Sequence, residues 1–331
     1  LAGADDRPPI VGVIGTINYD HVISEDREYE GIGGILYNIL GLHYLSAGSI
    51  RIKPVVNYGY DIESLIENYI NGKPNIDRHG FHRQEVKNPS VVLTDCGNQG
   101  KSEKLKYRVR QLSYRKLKHI LDSDLLLVNF ISGRDLQTET LVKLRANYHG
   151  IIYIDVHSFT LGIDRNGSRY YRRPVTWRET LKQADIIQMN LMETTTMLGK
   201  RGMDDDDVKP SVIDEMGREV LGYGPRLFIM SLGGSGARLF LRKGAEIETY
   251  YAERDKQSGI EGEATGCGDL LASAFIVSII NGLKLSEALD YAVKIAAEKF
   301  KRPGPEQLWT LERFSYRINR QPELSLDRLS I

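Results

Sequence analysis

The segment "GEATGCGDLLASAF" (Gly262–Phe275) sets Gly266, Cys267, Gly268 and Asp269 directly before apolar and small residues at helical spacing. The spacing predicts a helix beginning near Gly268. A helix start offers unpaired N–H groups and about half a positive charge, which together make an anion site. An aspartate held there has its charged form favoured. A free aspartate titrates near about 3.9, so Asp269 is expected to be ionised and able to take a proton. The chemistry implied is the binding of an anion, with a carboxylate beside it. The plainer alternative is that Asp269 only caps the helix.

Four further segments carry polar side chains beside glycines or strand ends. "GTINYDH" holds Gly15, Asn18 and Asp20, and "IGGILYN" holds Gly33, Gly34 and Asn38. Carboxylates and amides suit vicinal hydroxyls, and glycines let a ring approach the backbone. "NLMET" spaces Asn190 and Glu193 as N-x-x-E, a pattern that a plain helix cap would also produce. "SLGGSGARLF" brings Ser231, Gly233 and Gly236, which by themselves read as a strand-to-strand turn.

The elements that must position these residues are readable as short apolar runs. "IVGVIG", "IKPVVNYG", "DLLLVNF", "IIYIDV", "DIIQMN" and "RLFIMSLG" read as buried strands. Between them lie amphipathic stretches such as "DIESLIENYI", "QTETLVKLRANY" and "TWRETLKQA". This alternation predicts a single α/β domain over 1–331, a mostly parallel central sheet with helices on both faces. In such sheets ligands bind beyond the carboxyl ends of the strands. Two segments break the pattern, 18–32 and 78–111, and read as a small β lid inserted in the core.

Bulk composition narrows the function classes. Lys plus Arg equals Asp plus Glu at 44 each, which argues against a dominant nucleic-acid footprint. The two cysteines, Cys96 and Cys267, lie far apart and give no disulfide framework. No stretch approaches a membrane span, and the opening residues lack the features of a signal peptide, so a cytoplasmic protein is expected. "GVIGTIN" is not G-x-G-x-x-G, so the dinucleotide fingerprint of a dehydrogenase is missing. The acidic run "MDDDDVKP" reads as a solvated loop and "INRQPELSLDRLSI" as a loosely docked tail.

In their order along the chain, these motifs resemble those of the ribokinase-like family, the PfkB-type sugar and nucleoside kinases. The resemblance runs from about Val11 to about Pro305. The family signature D-T-x-G-A-G-D stands here as Glu263-Ala264-Thr265-Gly266-Cys267-Gly268-Asp269. The resemblance implies that Asp269 takes the proton of a substrate hydroxyl. It also implies that the backbone of Gly266, Cys267 and Gly268 holds the transferring phosphoryl oxygens. Phosphoryl transfer needs positioning and charge stabilisation more than covalent chemistry, which agrees.

On the cofactor side the resemblance implies ATP and Mg²⁺. Asn190 and Glu193 would organise magnesium and phosphate through water, and Ser231, Gly233, Gly236 and Thr265 would border the nucleotide. Asn18, Asp20, Gly33, Gly34 and Asn38 would reach the hydroxyls of a sugar or nucleoside. Ala296, Ala297 and Phe300 fall where members wall the adenine pocket, but read more readily as core than as ligand contacts. Glu263 and Ala264 replace an Asp-Thr pair that in many members borders a monovalent cation, so a K⁺ requirement is left open. Cys267 at a helix start could have a lowered thiol pKa, but an inert small side chain is the favoured reading. "DVHSFT" keeps Asp155 but has His157 where many members have asparagine. Tyr29, Tyr37 and Phe81 are candidate walls for a base. Arg134, Arg165, Arg172 and Arg173 are loop cations that could meet a sugar phosphate. A homodimer through the lid is a further expectation, and a non-catalytic regulator on the same fold is the alternative outside the enzymes.

Overall fold

The apolar runs become strands because each is buried on both faces. In the strand Leu125–Asn129, Leu125 and Leu127 join the core on one side of the sheet, while Leu126 and Val128 join the core on the other. The strand Ile151–Asp155 divides in the same way, Tyr153 to one side and Ile152 and Ile154 to the other. Neither face meets water, so no polar alternation is selected.

The computed structural model describes residues 7–23, 28–95, 101–200, 208–254 and 262–317. Cys96, most of the acidic run and the C-terminal tail lie outside them. In chain order the strands are β1 (Ile10–Ile23), β2 (Glu28–Gly34), β3 (Arg51–Gly59), β4 (Phe81–Gln84), β5 (Ser90–Asp95), β6 (Lys101–Lys106) and β7 (Leu125–Asn129). There follow β8 (Ile151–Asp155), β9 (Leu161–Ile163), β10 (Arg169–Tyr171), β11 (Ile186–Asn190), β12 (Leu227–Ser231), β13 (Gly236–Lys243) and β14 (Glu246–Glu253). The main sheet has the order β14-β13-β12-β11-β8-β7-β1-β3-β4. From β12 to β4 all neighbours are parallel, and β13 and β14 add an antiparallel edge.

One face carries α1 (Ile35–Leu45) and α2 (Glu63–Ile70). The other carries α3 (Tyr114–Leu117), α4 (Thr138–Asn147), α5 (Trp177–Leu181), α6 (Leu191–Leu198) and α7 (Pro210–Leu221). Two further helices, α8 (Cys267–Ile280) and α9 (Leu285–Phe300), complete the first face. From Asp269 onward α8 is buried all round, as a helix apolar on every side must be. It packs between α1 and α9. None of the described helices is long and apolar enough to cross a membrane.

β1 does two jobs. Ile10–Thr16 pairs with β3 in the main sheet, whereas Ile17–Ile23 leaves that sheet and pairs with β2. Tyr19–Ile23 also pairs with β5, and β5 pairs with β6, so a β layer stands over the strand ends. The sequence ended this strand at Gly15, because its continuation is polar. β4, expected in the lid, instead extends the main sheet beside β3. The described lid strands are therefore β2, β5, β6 and the outer half of β1.

Candidate active site

The helix predicted near Gly268 begins at Cys267, after Gly266 at φ 83°. That conformation suits glycine, and a Cβ there would also lie 2.7 Å from the Tyr37 ring. Asp269 sits in the first turn, 4% exposed, and its Oδ1 accepts a hydrogen bond from Asn129 Nδ2 at 2.7 Å. Burial pushes its carboxyl up to about 7, opposed by the Asn129 hydrogen bond and the Lys299 charge. Ionisation by the helix start was expected to prevail; removal of water prevails instead. Burial likewise raises the Cys267 thiol to about 11, against the lowered pKa that a helix start could give and in keeping with an inert side chain.

Asp269 opens into a cavity of about 410 Å³ whose wall also includes Asn18, Asp20, Gly34, Asn190, Glu193, Ser231, Thr265, Gly266 and Gly268. The motif residues thus converge from the outer half of β1, the ends of β2, β11 and β12, and the turn that opens α8. Asn18 Oδ1 is buried without a hydrogen-bond partner among the described residues. Gly33 and Asn38 do not line the cavity. Gly33 lets Asp20 fold back, because a Cβ on it would lie 2.1 Å from Asp20 Oδ2. Asn38 is fully buried in α1, where its Nδ2 donates to Asp269 O at 2.9 Å and its Oδ1 accepts from Asn129 Nδ2 at 2.9 Å. It ties α1 to α8 rather than facing the cavity.

A second, smaller cavity of about 180 Å³ lies across the same turn. Ser231, Ala264 and Gly268 line both cavities. Gly233, Gly236 and Cys267 line the smaller one, together with Leu271, Val293, Ala296, Ala297 and Phe300. Ala296, Ala297 and Phe300, read from the sequence as core, instead form an apolar wall of this cavity. Arg254 closes it, its guanidinium 4.5 Å from the centre of the Phe300 ring.

The N-x-x-E pair is a true capping box. Glu193 N–H donates to Asn190 Oδ1 at 2.7 Å, and Asn190 N–H and Nδ2 donate to the Glu193 carboxylate at 2.9 and 2.8 Å. The cap and the cavity wall are thus the same residues. Burial raises Glu193 to about 8, and Asp155, beside it, is also pushed up by burial and by the charges of Glu193 and Asp269. A divalent cation would relieve this crowding, so the donor set fits Mg²⁺. Both Glu193 oxygens are already engaged, which favours contact through water.

Three residues that bear on the site went unread in the sequence. Asn129, at the end of β7, holds Asp269. Gln188, on β11, donates to Asp155 Oδ2 at 3.0 Å and to Gly268 O at 3.1 Å. Arg169, on the β9–β10 hairpin, pairs with Glu103 of β6 at 2.6 Å and donates to Ser158 Oγ at 2.7 Å. A polar residue closing an apolar strand run was the available signal for Asn129. Arg169 had none beyond its charge. The anticipated loop cations Arg134, Arg165, Arg172 and Arg173 do not line the cavity, and neither do Tyr29 and Phe81; Tyr37 does.

The larger cavity is acidic. Asp20, Glu103, Asp155, Glu193 and Asp269 line it against a single arginine, Arg169, already paired with Glu103. Burial, with the charges of Glu103 and Asp269, lifts Asp20 to about 7. His157 adds no cation, because burial and Arg169 lower it to about 4.

Comparison with known proteins agrees with this architecture. Residues 165–310 match the model of the pfkB family of carbohydrate kinases. A pyrophosphate-dependent kinase in the ribokinase family, solved as a sulfate complex, superposes with TM-score 0.74 at 17% identity, covering 92% of this chain and 99% of that one. Arabidopsis thaliana ribokinase, complexed with ribose and ATP, gives 0.68 at 18%, covering 93% and 100%. Burkholderia thailandensis nucleoside kinase, in complex with inosine, gives 0.67 at 15%, covering 90% and 92%. No curated protein matches the sequence. The fold is ribokinase-like, and the PfkB-type resemblance read from the motifs stands.

Proposed function

We propose that the chain is a phosphotransferase that moves the γ-phosphoryl group of ATP to a hydroxyl of a small neutral polyol, with a sugar as the first choice. The observation that carries this reading is the shared wall. Gly268, Ala264 and Ser231 border both a polar, acidic cavity and a small apolar one, and Asp269 faces the polar side. Two ligands of opposite character would meet at one helix N-terminus.

In this reading the adenine occupies the apolar cavity and the phosphates pass Ser231 toward the Gly266–Gly268 backbone. Asn18 and Asp20 accept hydrogen bonds from the acceptor's hydroxyls. Asp269 takes the proton of the attacking hydroxyl as its oxygen bonds to the γ-phosphorus and the bond to the bridging oxygen of ADP breaks. A carboxyl poised near the working pH is suited to this proton transfer. Asn190 and Glu193 would hold Mg²⁺ through water, and when bound it would neutralise phosphate charge. A sugar phosphate is disfavoured, because the one arginine among the described residues of the cavity wall, Arg169, is committed to Glu103.

A nucleoside acceptor is the second reading, favoured by the apolar rim of Val91, Leu93, Leu161 and Tyr171 on the same cavity. Phosphorylated product, measured with ATP and with pyrophosphate over a panel of sugars, inositols and nucleosides, tests both choices. Turnover of a neutral sugar with ATP is expected. Turnover of nucleosides alone would replace the acceptor, and turnover with pyrophosphate alone would replace the donor.

A further inference from the structure

Lys299 sits in the last turn of α9, in a stretch whose neighbour Lys294 is exposed to solvent as a surface lysine should be. Lys299 is not: it is 0% exposed, and its Nζ has no hydrogen-bond partner among the described residues. The ammonium stands 5.2 Å from the centre of the Tyr37 ring, the ring that packs against Gly266. Glu263 is fastened to the same helix end. Its N–H donates to Phe300 O at 2.9 Å, and its Oε2 accepts from Gly304 N–H at 3.1 Å. Its other oxygen, Oε1, and the Tyr37 hydroxyl are also buried without partners.

A buried, unsolvated ammonium is costly unless opposite charge compensates it. Glu263, Asp269 and Glu306 all act on Lys299 in that sense, against the burial that lowers its pKa. The ammonium in turn stabilises the negative charge of Asp269. It lies behind the anion-binding turn, not on the cavity wall. Glu263 and Ala264 take the place of the Asp-Thr pair that in many relatives borders a monovalent cation. With Lys299 in place the donors do not fit a metal ion, because an ammonium, singly charged and close to potassium in size, already acts on Glu263.

We infer that Lys299 supplies, as a covalently attached ammonium, the fixed positive charge that a monovalent metal ion would bring behind Gly266–Gly268, with Glu263 as its counter-charge. The protein then needs no alkali cation. The inference rests on the phosphotransferase reading of that turn, and its test includes a readout that does not.

The test compares KCl with tetramethylammonium chloride at equal ionic strength, by melting of the ligand-free protein and by initial rate with ATP and its acceptor. Wild type is expected to melt and turn over alike in both salts. Lys299→Ala is expected to lose about tenfold or more in rate without K⁺. In KCl it should melt higher and recover rate. A wild type that K⁺ stabilises or activates overturns the inference, as does a Lys299→Ala protein indifferent to K⁺ in both readouts. Should Lys299→Ala not fold, Lys299→Met combined with Glu263→Gln leaves no uncompensated buried charge. That protein is expected to be slow in either salt, and full activity would overturn the inference. If wild type phosphorylates nothing, the phosphotransferase reading fails by itself, and the melting comparison still decides the cation.

Discussion

Asn129 Nδ2 lies 2.7 Å from Asp269 Oδ1, and the same amide reaches Asn38 Oδ1 at 2.9 Å. One buried side chain at the end of β7 thereby joins the first turn of α8 to α1. It aims the carboxylate and favours its charged form, so Asn129 is a positioning residue. Asn129→Leu removes both bonds and leaves two buried acceptors unsatisfied, at about 1–3 kcal/mol each. The expected result is a fall in kcat of about tenfold or more, with the acid limb of the pH profile displaced upward. A lower rate with an unmoved pH profile would assign Asn129 to stability alone.

The carboxyls of Asp269 and Asp20 are both raised to about 7. Since Asp269 must be ionised to take a proton, kcat/KM should decline as pH falls below about 7, not near the ordinary aspartate range. A rate constant from pH 5 to 8 checks this.

Stability follows with the opposite sign. The folded-state pKa of Asp269 lies above its unfolded value of 3.8. Its protonated form therefore contributes stability that is complete below the unfolded value and lost as pH rises through about 7. Asp269→Asn, neutral throughout, should raise the Tm of the ligand-free protein at pH 8 and change it little at pH 4. Equal effects at both pH values would contradict the raised pKa.

Gly33 and Asp20 give a separable test of the polar cavity. A methyl at Gly33 would lie 2.1 Å from Asp20 Oδ2, so Gly33→Ala must displace that carboxylate. The KM for the acceptor should rise about tenfold or more, while the KM for ATP holds. Parallel changes in both constants would show that the two cavities are not used separately.

The apolar cavity has its own test. Ala297→Leu extends a side chain into about 180 Å³ of space. It should raise the KM for ATP by about tenfold and leave the acceptor's KM unchanged. An unchanged KM for ATP would remove the nucleotide from this cavity.

How much of this was legible depended on what kind of signal each residue left. The runs at Leu125 and Ile151 announced strands because burial on both faces forbids polar interruption. The turn that opens α8 and its aspartate were legible because glycine and a helix start leave a local pattern. The outer half of β1 was not, since its partners β2 and β5 make a polar segment into a strand only through tertiary pairing. Asn129, Gln188 and Arg169 come from three distant segments and share no spacing. Lys299 had the pattern of a surface lysine, and only the tertiary packing around the end of α9, where it reaches Tyr37 of α1, buries it. The pKa of Asp269 was misjudged because the helix end is local and readable, whereas the burial that outweighs it is not.

The most direct measurement is the single-turnover and steady-state rate of Asp269→Asn beside wild type, with ATP and whichever acceptor wild type phosphorylates. Asparagine keeps the Oδ1 that Asn129 holds but cannot take a proton. The expected result is a loss of about 10²-fold or more in kcat with the KM for ATP little changed. A variant that turns over at the wild-type rate would contradict it, and would leave Asp269 as a structural member of the α8 turn.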